Sequence, residues 1–127
     1  MTHQAYHEVG KIHEEWSQLL LEKEGFEKLP VSKAFSIPDF VKVLGNDFII
    51  GVECKTIYNP RGRQHKQALL KASVQLNRYT YKVLHIHTLR QFLTKALIDR
   101  VKLYSNADLV VFFILGEVEK TLFLPKK

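Results

Sequence analysis

The chain has one cysteine, one methionine, one tryptophan and four prolines in 127 residues. A lone cysteine excludes an internal disulfide, and it excludes an iron–sulfur cluster held wholly by this chain's thiolates. No apolar run approaches the roughly 18–20 residues of a spanning helix. The amino-terminal stretch is polar and lacks a signal peptide's apolar centre. These absences predict a soluble, cytoplasmic protein that does not enter a membrane. Acid is also scarce: 13 Asp and Glu face 19 Lys and Arg, for a net charge of +6. That imbalance favours a polyanionic partner through phosphate neutralisation and counterion release. Repeats, low-complexity tracts and linkers are missing as well. An apolar fraction of 46% over this length predicts a single domain, 1–127, with one core.

What is present begins with Pro38-Asp39 and Gly51-Val52-Glu53-Cys54-Lys55. Residues two apart on a strand share a face, so Glu53 and Lys55 point one way while Val52 and Cys54 point the other. Two carboxylates can hold a divalent metal, and a nearby ammonium can orient or polarise a water at a phosphate. An ordinary hairpin with a Glu53–Lys55 surface ion pair is the competing reading of the same residues. Cys54 is expected to be a small core side chain. Gly51 would leave space beside Glu53 for a metal or phosphate, or would mark a bulge.

Two further patterns flank this pair: Gly10-Lys11-Ile12-His13 upstream, and Gln75-Leu76-Asn77-Arg78-Tyr79 downstream. With Pro38-Asp39 and Glu53-Cys54-Lys55 they resemble, in order, the GxxH, PD, ExK and QxxxY elements of the RecB-like branch of the PD-(D/E)XK nuclease superfamily. That branch includes the RecB and AddB nuclease domains and CRISPR-associated RecB-like exonucleases. The resemblance spans about residues 10–80 and lacks the four iron–sulfur cysteines of many members. It implies a restriction-endonuclease-like α/β core, a central mixed β-sheet flanked by helices. It also implies DNA as substrate and Mg²⁺ or Mn²⁺ as cofactor. Asp39, Glu53, His13 and the Cys54 backbone carbonyl would be metal ligands, Asp39, Glu53 and Lys55 the catalytic set, and Gln75 and Tyr79 supports for the substrate strand.

The remaining elements follow from periodicity. Val9, Ile12, Trp16, Leu19 and Leu20 predict an amphipathic helix over His3–Lys23, stopped at Gly25. On it His13 lies at the edge of the apolar stripe, Glu14 on the solvent face, and Glu15 on the other flank as a reserve ligand. Strands are expected over Phe26–Ser36 (irregular, at Pro30), Asp39–Leu44 and Phe48–Thr56, with Gly45-Asn46-Asp47 as a turn. A loop with Arg61 and Arg63 follows, suited to clamping phosphate or simply solvated. A helix over Gln64–Lys82 would set Gln75 and Tyr79 on one flank beside Lys71, Arg78 and Lys82, a track for a nucleic-acid backbone.

Val83–His87 should be a parallel strand after the crossover, with His85 and His87 as structural residues. Leu89–Tyr104 is expected as a helix, Leu109–Leu115 as a strand covered on both faces, and Thr121–Leu124 as a last short strand. The sheet should have five or six strands. The function expected from the resemblance is a metal-dependent deoxyribonuclease, an exonuclease or one acting on single-stranded or branched DNA. Three other readings are open. They are a dimeric Holliday-junction resolvase with Glu15 as helix acid, a non-catalytic nucleic-acid-binding adaptor, and a protein-interaction module. A homodimer or a place in a larger DNA-processing complex suits the first two.

Overall fold

A computed structural model describes residues 3–30 and 38–125, which build one mixed sheet of six strands with helices on both faces. The elements are α1 (His3–Lys23), β1 (Glu27–Lys28), β2 (Phe40–Val43), β3 (Ile49–Ile57), α2 (Gly62–Leu76), β4 (Tyr81–Thr88), a 3₁₀ turn at Arg90–Phe92, α3 (Lys95–Tyr104), β5 (Leu109–Ile114) and β6 (Glu117–Phe123). The strands lie side by side in chain order. β1, β2 and β3 are antiparallel, β3, β4 and β5 are parallel, and β6 returns antiparallel to β5. The helical crossovers α2 and α3 are what allow the two parallel pairings. An α/β fold around a central mixed sheet is therefore established.

Strand alternation divides the core in two. Ile57, Leu84, Ile86, Val110 and Phe112 pack on Leu69 and Ala72 of α2 and on Leu97 and Val101 of α3. On the opposite face Val52, Val83 and Phe40 pack on Leu21 of α1. Glu53 and Lys55 alternate with Val52 and Cys54, so they point into the α2/α3 layer.

Several expected boundaries move. α1 is rotated from its predicted phase: His13, Ser17 and Leu21 are buried, while Ile12, Trp16, Leu19 and Leu20 are 36–63% exposed. The reason lies in the sheet, which offers His85, His87, Cys54 and Thr56 to the helix, and polar partners there favour His13 and Ser17. Trp16 instead covers Gly116, where an added Cβ would meet the indole at 3.0 Å. Among the described residues the predicted first strand is Glu27–Lys28, and its expected stretch over 31–36 lies outside them.

α2 ends at Leu76 rather than Lys82. Thr80 pulls the chain out of the helix: its N–H donates to Ile49 O, its hydroxyl donates to Asp47 O, and that hydroxyl accepts from Ile49 N. The predicted helix over 89–104 is a 3₁₀ turn followed by α3, because the Thr94 hydroxyl caps α3 by accepting from Leu97 N. β5 and β6 join through Leu115 (φ 50°) and Gly116 (φ 80°), a two-residue turn. The last strand consequently starts at Glu117, ahead of the predicted Thr121. Among the described residues no helix is long and apolar enough to cross a membrane.

Candidate active site

The β2–β3 ladder ends at the pair Phe40–Val52, and just beyond it the two strands fork. Asp39 stands at the fork. Its backbone N–H donates to Glu53 Oε1 at 3.1 Å, and its own Oδ2 accepts from the Cys54 backbone N–H at 2.8 Å. A residue exchanging antiparallel ladder bonds uses both its N–H and its C=O at one edge. The Cys54 carbonyl accordingly leaves the strand on the fork side, next to Asp39. Lys55 Nζ lies 3.0 Å from Glu53 Oε2. Sequence spacing thus brought Asp39, Glu53 and Lys55 to one place, and they are no surface ion pair: the Glu53 side chain is 3% exposed and that of Lys55 17%.

Electrostatics set this group apart. Burial, reinforced by the neighbouring Asp39 carboxylate, pushes the Glu53 pKa from 4.5 up to about 8, against the opposing pull of Lys55. Burial also raises Asp39, and the Cys54 N–H bond works the other way. Two carboxylates held together in a poorly solvated fork gain from a cation. Among the described residues no three His, Cys, Asp or Glu side chains close into a metal cage. Mg²⁺ does not require one, since it is held through one or two carboxylates and keeps waters and phosphate oxygens as its other ligands. The donor set fits such an ion.

Other expected residues fall elsewhere. His13 is buried on the opposite face of β3, where Nδ1 pairs with the Thr56 hydroxyl at 2.8 Å and Nε2 with the Tyr58 hydroxyl at 2.9 Å. Its ring stacks on His87 at 4.7 Å, and burial lowers its pKa. Both nitrogens are engaged and the carboxylates lie across the strand, so its expected place as a metal ligand is corrected to a place in the α1–sheet contact. His85 and His87 belong to that contact, as expected of structural residues.

Tyr79 follows the end of α2, yet it reaches the site: an added Cβ on Gly51 would lie 2.7 Å from its ring. The space predicted beside Glu53 for metal or phosphate is therefore filled by this ring. Gln75 is half-buried on α2, and its Oε1 is buried without a hydrogen-bond partner among the described residues. The basic track on one helix edge is not formed. Lys71 is exposed on α2, Arg78 is exposed in the turn, and Lys82 is in β4, lining a cavity of about 790 Å³ with Lys102, Asp108 and Phe123. Arg61 and Arg63 are exposed at the start of α2.

Glu14, assigned by periodicity to solvent, was missed. The rotation of α1 makes it half-buried, where it pairs with Lys28 at 3.2 Å and raises the pKa of Asp39 through its charge. Glu15, the reserve ligand, is exposed. The signal that could have found Glu14 is the i, i+4 pair His13–Ser17, a polar stripe on the buried side of α1. No protein-family model, curated protein or solved structure matches the chain.

Proposed function

We propose that this protein is a metal-dependent phosphodiester hydrolase acting on DNA in the cytoplasm, with Asp39, Glu53 and Lys55 at its centre. The observation that carries this reading is the carboxylate pair at the fork, Glu53 buried and Asp39 half-buried, with Lys55 3.0 Å from Glu53. Asp39 and Glu53 would hold Mg²⁺ or Mn²⁺, helped by the Cys54 carbonyl. When bound, the ion supplies a water of lowered pKa and offsets charge on the attacked phosphate. Lys55 orients the attacking water and stabilises the charge that builds on the phosphoryl oxygens. Tyr79 walls the site over Gly51. By the resemblance Gln75 would support the substrate strand from α2, where its Oε1 is buried without a partner among the described residues. The net charge of +6 favours the polyanion.

The test is incubation of end-labelled single-stranded, duplex and branched DNA with and without Mn²⁺. Cleavage is expected only with the ion, and Asp39→Ala or Glu53→Ala should abolish it while leaving DNA binding largely intact. Equal cleavage by either variant and the parent protein would refute the assignment.

A second reading is favoured by Glu14, an acid that α1 brings within electrostatic range of Asp39. A helix acid beside this pair suits a Holliday-junction resolvase of the same chemistry, acting as a dimer. Preference for four-way over linear DNA, together with a dimeric mass in solution, would decide for it.

A further inference from the structure

His65, on the first turn of α2, is 1% exposed. Its Nε2 lies 2.6 Å from the Asn59 carbonyl and its Nδ1 2.9 Å from Nη1 of Arg100. A carbonyl only accepts and a guanidinium only donates. His65 consequently carries its proton on Nε2 and presents a lone pair to Arg100 as a neutral imidazole. It orients Arg100 without offsetting the charge. The ion pairs found among the described residues do not include Arg100, and its neighbour Asp99 is taken by Lys95 at 2.8 Å. Arg100 sits over Gly62, where an added Cβ would lie 2.8 Å from Cζ and Nη2. Arg61 and Arg63 flank that glycine in the chain. α2 begins shortly after β3 ends, and α2 and α3 cover the sheet face from which Glu53 and Lys55 project.

We infer that Arg100, oriented by His65 and seated over Gly62, is an anion receptor that grips a backbone phosphate of the bound strand together with Arg61 and Arg63. A guanidinium held in place by a neutral partner keeps its charge and most of its N–H fork for a phosphate, and less freedom is lost on binding. Glu53 is four residues before the end of β3, roughly 13 Å at the rise of a strand. The phosphate held here is therefore not the one attacked. Arg100 is a positioning residue that sets how the strand leaves the site. This inference rests on the nucleic-acid reading above.

Its test is binding of a labelled single-stranded oligonucleotide in metal-free buffer across a salt series, where no cleavage is expected to interfere. Arg100→Gln should weaken binding about tenfold and reduce the slope of log K against log salt by about one. Gly62→Ala keeps net charge and suits a helix, but its methyl displaces the flexible end of Arg100, so it should reproduce that loss. The double variant should bind no more weakly than either single one. Binding by Arg100→Gln equal to wild type overturns the receptor. So does intact binding by Gly62→Ala beside weak binding by Arg100→Gln, which would mean unspecific charge. Failure of the wild type to bind the oligonucleotide overturns it too. Cleavage with Mn²⁺, assayed separately, distinguishes the two readings. Missing cleavage with the variant pattern intact removes the hydrolase and keeps the receptor, and cleavage without any variant effect does the reverse.

Discussion

Glu53 is the side chain whose surroundings oppose its charge most directly. Its pKa is about 8 in the fold against 4.5 outside it, so between those values the folded protein holds the extra proton. Stability from this group is complete below about pH 4.5 and is lost as the pH rises through 8. Glu53→Gln removes the ionisation. In metal-free buffer near pH 9 the variant should therefore be more stable than wild type by a few kcal/mol, and the difference should vanish near pH 4. Thermal melts across that range check it, and Mn²⁺ should raise the melting temperature of wild type alone. A variant equally or less stable at pH 9 would mean that Glu53 is not strained. Asp39, Glu53 and Lys55 were legible in the chain because two-residue alternation depends only on the strand. The Tyr79 ring over Gly51 was not, since residues 28 apart in the chain meet only through the crossover.

Among the elements, α1 depends most on polar contacts. Ser17 Oγ lies 2.8 Å from His87 Nε2 and 3.1 Å from His85 Nδ1, with Cys54 Sγ at 3.6 Å. His87 is sandwiched between His13 and Phe113 at 4.7 and 4.6 Å. Tyr6 and Tyr58 close the outer end through Thr56 and His13. No carboxylate is bonded to these imidazoles among the described residues, and burial lowers His85 to about 4 and His87 to about 3. The unfolded chain binds protons first, so the stability these groups contribute is complete above about pH 6.5 and falls as pH drops toward 4 and 3. Acid should loosen α1 before the sheet. Hydrogen exchange at pH 5 should show α1 amides losing protection ahead of β4 amides, and His87→Phe should reduce the effect. Loss of protection in both elements together would mean that the histidines do not control this contact. Periodicity found the length of α1 but not its phase, because it assumes that apolar residues face inward. Here the sheet surface is polar, and it reversed that rule for Glu14 and Trp16.

For the whole molecule, the net charge of +6 would add to the proposed phosphate contacts at Lys55, Arg61, Arg63 and Arg100. About two neutralised phosphates on a single strand, one beside Lys55 and one shared by the three arginines, imply that a fourfold rise in salt weakens binding about sevenfold. Anisotropy titrations at two salt concentrations measure this, and a flat response would remove nucleic acid as the partner.

Element types, strand alternation and the parallel crossovers followed from residue order, because hydrophobic period and turn chemistry act over a few neighbours. The pairing of Asp39 with Glu53 was implied by the same local rules. Helix phase, the end of α2 at Thr80, the removal of His13 from the carboxylates and the seat of Arg100 over Gly62 depended on contacts between distant segments. Those contacts are chosen by which buried polar groups find partners once the layers pack, and short-range patterns do not carry that choice.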